Sequence, residues 1–119
     1  MINNFKLTEN FNLREFQCQH CGVVMIDDKL VELLQKMRDR LGKPIIVTSG
    51  YRCPEHDKEV GGTGDSFHTK GLAADIYCPG FPLDILRDLA DAIGFNGIGI
   101  NYKNLHIHVD LGPRRKWIE

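Results

Sequence analysis

The stretch "GIGINYKNLHIHVDLG", residues 97–112, decides how the chain folds. Short β-prone runs on either side of "YKN" read as two strands joined by a turn, a β-hairpin. Side chains alternate across a strand, so in "HIHVD" His106, His108 and Asp110 share one face while Ile107 and Val109 take the other. An apolar face thus backs onto a face dense with metal-ligating groups. A solvent-facing strand that happens to be rich in histidine is the plainer reading. Two of the chain's five histidines on one short face, followed by an aspartate, favour function over it.

Outward from the hairpin, "LAADIY" at 72–77 reads as a strand whose small alanines permit close packing, and "IIVT" at 45–48 as a short buried strand entering the turn "SGYR". Leu30, Leu33, Leu34, Met37 and Leu41 recur at helical spacing from Asp27 to "GKP" at 42–44. Pro82 opens a second amphipathic helix with Leu83, Leu86, Leu89, Ala90 and Ile93 on one face, stopped by Gly94. Asn12 and Glu15 have the spacing of a capping box, and Pro54 suits a short helix through about Val60. "GGTGDS" at 61–66 lacks the lysine and hydroxyl of a phosphate loop and reads as a flexible loop. Interleaved helices and strands with local, hairpin-like connections predict an α+β fold, a mainly antiparallel sheet with packed helices. At 119 residues the expectation is one domain over 1–119, working as a monomer.

With 15 basic and 16 acidic residues, the net charge of −1 gives no footprint for nucleic acid or an anionic membrane. "RRK" at 114–116 is expected to be a solvated tail. No apolar run reaches the roughly 18–20 residues of a membrane span, and the first residues lack a signal-peptide pattern, so cytoplasmic synthesis is expected. Cys18, Cys21, Cys53 and Cys78 are expected to be reduced. The C-x-x-C at Cys18/Cys21 lacks the second such pair of a structural zinc site, so buried thiols or an incidental disulfide are expected ahead of a structural ion there.

His68 and Asp75 lie in "SFHTKGLAAD", residues 66–75. A catalytic zinc takes three protein ligands and keeps a fourth position open. His68, Asp75 and one hairpin histidine meet that count, and spacing does not say which histidine it is. His20 and His56 read as surface residues, Trp117 as a packing anchor, and Tyr51 and Tyr102 as candidates for lining a groove.

"SFHTKGLAAD" fits S-x-H-x-x-G-x-A-x-D throughout. Together with "HIHVD", "TSGYRCPEHDKEVGG" and "GPRRKW" it resembles the zinc D-Ala-D-Ala carboxypeptidase and murein peptidase family, over about residues 10–117. The resemblance implies the hedgehog/DD-peptidase fold and one catalytic Zn2+ held by His68, Asp75 and His108. It implies Arg52 as oxyanion donor and His106 as an unligated catalytic histidine, with Ser66 near the site and Asp110 supporting His108. The implied substrates are peptidoglycan stem peptides, cut through a zinc-activated water. A phage or prophage lysis protein, an endolysin, or an enzyme acting at the cell wall is the implied setting. One departure stands out: many members carry a carboxylate three residues before the last zinc histidine, and here that position is Leu105. Leu105 feeds the alternative of a non-catalytic zinc-containing module that binds cell wall or peptide.

Overall fold

The computed structural model describes residues 5–119. Capping sets where its helices begin. Asn12 accepts from the Arg14 amide and Glu15 reaches back to the Asn12 amide at 2.6 Å, a complete capping box heading the 3-10 turn Leu13–Phe16. Helix α1 (Asp28–Leu41) starts where the Asp27 carboxylate accepts from the Lys29 amide and ends at Gly42, which takes the left-handed backbone. Its stripe of Leu30, Val31, Leu33, Leu34 and Met37 is buried. Helix α2 (Pro54–Glu59) opens on proline as expected, and α3 (Leu83–Ile93) buries Leu86 and Ala90.

Five strands form one sheet: β1 (Ile46–Ser49), β2 (Ala73–Tyr77), β3 (Gly97–Asn101), β4 (His106–Asp110) and β5 (Arg115–Ile118). Their order is β1-β2-β4-β3-β5. Every neighbouring pair is antiparallel except β3 with β5. The α+β expectation holds, and so does the hairpin, which is β3 and β4. Ala74, Ile76, Ile98, Ile100, Ile107 and Val109 face the core with α1 and α3. The alternate residues, among them Asp75, His106, His108 and Asp110, lie on the other face.

Two expectations fail. "IIVT" is not a buried strand: β1 is an edge strand shifted by one residue, its positions alternate between exposed and half-buried, and Ile46 is 39% exposed. An edge position leaves only one neighbour to cover it. "RRK" is not a solvated tail either. Arg115 and Lys116 lie in β5, Arg115 pairs with the buried Asp110, and Arg114 and Lys116 both pair with Asp91 on α3.

The alternation "GIGI" in β3 explains how β5 reaches the site. Ile98 and Ile100 fill the core while Gly97 and Gly99 leave the opposite face bare. Gly99 lies between His108 on β4 and Trp117 on β5, and the indole crosses it to sit 5.2 Å from the His108 ring. Gly97 lies in the same way between Asp110 and Arg115, whose guanidinium crosses it to reach the carboxylate. A Cβ on Gly99 would stand 2.5 Å from the indole. Gly99→Ala is therefore expected to push Trp117 off His108 and to cost about 1–3 kcal/mol by overpacking. Urea unfolding followed by fluorescence checks both effects, since Trp117 is the only tryptophan.

Candidate active site

Three elements bring the ligating side chains together. His68 sits in a 3-10 turn (Phe67–Lys70) that ends at Gly71, whose left-handed backbone leads the chain into β2. A Cβ there would meet the Met25 carbonyl at 2.5 Å, so this glycine answers both to conformation and to close packing. Asp75 follows on β2, directly across from His108 on β4.

Both imidazoles are oriented by their outer nitrogens. His68 Nδ1 lies 2.8 Å from the Gly50 carbonyl, and His108 Nε2 lies 2.6 Å from Asp110 Oδ2. Their inner nitrogens converge on one oxygen: His68 Nε2 is 3.4 Å and His108 Nδ1 3.3 Å from Asp75 Oδ1. That oxygen is buried and has no hydrogen-bond partner. An anionic oxygen left so is costly unless something cationic binds it. Nitrogen and oxygen ligands of a tetrahedral zinc, at the usual bond lengths, lie about 3.4 Å apart, so this donor set fits zinc in spacing and in chemistry. The hydrogen bonds to Gly50 and Asp110 are the support metal-bound imidazoles ordinarily receive.

The electrostatics agree. Burial alone would lower the His108 pKa, but the Asp110 and Asp75 carboxylates outweigh it and raise it to about 9. Burial pushes the Asp110 carboxyl up, yet His108, Arg115 and the Gly112 amide bring it down to about 2. Asp75 is held far below the ordinary carboxylate range by His108 and His68 against its own burial. Arg115 grips Asp110 with two nitrogens, at 3.1 and 2.8 Å.

The second oxygen of Asp75 belongs to Arg52. Arg52 Nη2 donates to Asp75 Oδ2 at 2.9 Å, Nη1 to Asp57 Oδ1 at 3.1 Å, and Nε to Ser49 Oγ at 2.9 Å. Ser66 does not touch the ligands; it donates to Asp57 Oδ1 at 2.6 Å. Asp57 is thus the residue that sequence reading passed over. Its carboxylate is fully buried, takes the Gly64 amide as well, and lies so close to Gly62 that no side chain fits there. Burial pushes its pKa up, and Ser66, Gly64 and Arg52 together hold it below the ordinary value. The signal available in the sequence was an aspartate five residues after Arg52, on the first turn of α2.

His106 remains off the cluster, its Nε2 3.8 Å from Asp75 Oδ2 and its side chain partly open. It lines a cleft of about 610 Å³ with Arg52, Asn104, Trp117 and Glu119. Leu105 is 66% exposed and has φ +58°, the one non-glycine positive φ among the described residues. Of the other singled-out residues, Tyr51 is buried, Tyr102 is exposed on the hairpin turn, and His20 stacks on His56 away from the cleft.

A profile of the peptidase M15 family matches residues 5–110. The chain belongs to the peptidase M15 family. Its sheet and packed helices fit the hedgehog/DD-peptidase fold of that family. It is 33% identical over 99 residues to the peptidoglycan L,D-endopeptidase MepK of Escherichia coli K12, covering 77% of this chain and 54% of the relative. It is 38% identical over 88 residues to the zinc D-Ala-D-Ala carboxypeptidase of Streptomyces albus G, covering 71% of this chain and 34% of that one. The chain thus spans about half the length of the first relative and a third of the second.

Two outcomes test this geometry. The folded pKa of His108, about 9, lies above its ordinary 6.5. In the metal-free protein its pairing therefore adds stability that is fully present below pH 6.5 and is lost as pH rises through 9. Zinc held by His68, Asp75 and His108 would take the place of that proton, so zinc-loaded protein should not show this loss. Thermal melts of both forms from neutral to alkaline pH give the comparison. Asp57→Ala strips a buried partner from Arg52 and should cost about 3 kcal/mol in urea unfolding, with metal binding at His68, Asp75 and His108 retained.

Proposed function

We propose that this chain is a zinc-dependent peptidase hydrolysing D-amino-acid-containing peptide bonds in peptidoglycan stem peptides, working as a monomer at the cell wall. One observation carries the proposal: two oriented imidazoles and a buried carboxylate oxygen that makes no hydrogen bond converge beside an open cleft that holds a third histidine and an arginine. Family membership and the activities for which both relatives are named support the substrate class. Synthesis in the cytoplasm, followed by release as a phage or prophage lysis protein, is the setting proposed with it.

Zinc bound by His68, Asp75 and His108 would supply Lewis acidity, polarising the scissile carbonyl and acidifying water. The remaining work falls to the chain. His106 accepts a proton from the attacking water and passes it to the leaving amine nitrogen as the C–N bond breaks. Three of the five N–H groups of Arg52 are engaged, which leaves two to donate to the carbonyl oxygen as it becomes negative. Arg52 also fixes Asp75 Oδ2, so the opposite oxygen stays turned toward the histidines. Trp117 walls the cleft against the face of His108. Glu119, which follows β5, also lines the cleft.

The test is zinc analysis together with muropeptide digestion. His68→Ala should lose zinc from this site and all cleavage. His106→Ala should keep the zinc and lose at least a hundredfold in rate, the usual scale for a proton-transfer residue. Leu105 favours a second reading, a zinc-bearing binding module. Full zinc content in the wild type, with no cleavage of several peptidoglycan chemotypes but with retention on the polymer, would select it.

A further inference from the structure

Three thiols gather next to Arg52, whose neighbour in sequence is one of them. The sulfurs of Cys18, Cys21 and Cys53 lie within 4.8 Å of one another. Cys18 is buried, Cys53 half-buried and Cys21 exposed, and none is in a disulfide. Backbone amides are aimed at them. The Cys53 amide donates to Cys18 Sγ at 3.4 Å, the amides of His20 and Cys21 also face that sulfur, and the His56 amide faces Cys53 Sγ. The turn is tight: Gly22 donates to the Cys18 carbonyl at 2.8 Å and adopts φ +75°.

Two imidazoles complete the surroundings. His20 Nδ1 lies 3.4 Å from Cys53 Sγ, and its ring stacks on His56 at 5.9 Å. Nitrogen and sulfur ligands on one tetrahedral zinc stand about 3.6 Å apart. The pairing that looked absent is present in another form, since "CQHC" at 18–21 is answered by "CPEH" at 53–56, a C-x-x-C facing a C-x-x-H. A disulfide would use two of the three thiols and leave the third, with both histidines, unexplained.

We propose that Cys18, Cys21 and Cys53, with one imidazole of the His20–His56 pair, form a second, structural zinc site. Three thiolates and an imidazole make a closed set suited to zinc, with no position left for water or substrate. The site would act as a brace. Residues 16–19 already lie across the end of β1 and the loop after it, through Tyr51 N to Phe16 O at 2.8 Å and Gln19 Nε2 to Thr48 O at 2.8 Å. That loop supplies both Arg52 and the Gly50 carbonyl that orients His68. Gly50 itself has no room for a Cβ against the Phe16 backbone, so the loop packs directly on the N-terminal segment.

Metal counting and cobalt substitution on the full chain, purified under reducing conditions, test this. Two metal ions per chain are expected, and Co2+-exchanged wild type should show a strong near-ultraviolet thiolate-to-cobalt charge-transfer band. Cys21→Ser, at an exposed position, should lose that band and one metal. His68→Ala should keep the band and lose the other. Absence of the band in wild type, or a disulfide among Cys18, Cys21 and Cys53 in metal-replete protein, overturns the proposal; neither reading needs a variant to fold. A wild type showing the band with only one metal bound would uphold this site and sink the one at His68, Asp75 and His108.

Discussion

A single buried carboxylate organises the sheet face opposite the core. Asp75 sits on β2, flanked by β1 and β4, where an unpaired charge would be among the costliest features a small domain can carry. Its two oxygens have separate surroundings: one is held by Arg52, and the other faces the inner nitrogens of His68 and His108 without a hydrogen bond. Each of those partners is in turn fixed from behind, Arg52 by Asp57 and Ser49, His68 by Gly50, His108 by Asp110. The result is a chain of charges alternating in sign that runs from α2 through β2 and β4 to Arg115 on β5. Few of its members can be altered without leaving a neighbour buried and unmatched.

This alternation explains how so small a protein accommodates five buried aspartate and histidine side chains, Asp57, His68, Asp75, His108 and Asp110. The cost of desolvating each is offset by the next, and the remaining deficit, at Asp75 Oδ1, sits where a divalent ion fits. The proposed function and the stability of the fold therefore draw on the same residues. The two glycines of β3 belong to the same scheme, because they let β5 contribute Arg115 and Trp117 across a strand that would otherwise separate them from β4.

What could be read from the sequence was whatever is local. Alternation within "HIHVD" placed its side chains on the correct faces, helical periodicity located α1 and α3, and the spacing of "SFHTKGLAAD" picked out His68 and Asp75. What stayed hidden depends on residues far apart in the chain. β5 pairs in parallel with β3, so no turn announces it, and a run of basic residues disguised a strand whose positions answer to Asp110 and Asp91. Asp57 looks like any aspartate on the first turn of a short helix until Arg52 is folded beside it. β1 has the composition of a buried strand, and only its place at the sheet edge leaves it exposed.

The hairpin turn that ends at Leu105 sets a rule about length. Its left-handed backbone returns the chain so that His106 faces Asn101 and His108 faces Gly99. Strand faces alternate with period two, so one added or deleted residue would turn both histidines and Asp110 into the apolar layer and expose Ile107 and Val109 instead. Substitutions in this turn are open to drift, whereas insertions and deletions of a single residue are closed. Among related sequences, the number of residues between β3 and β4 should vary far less than their identity.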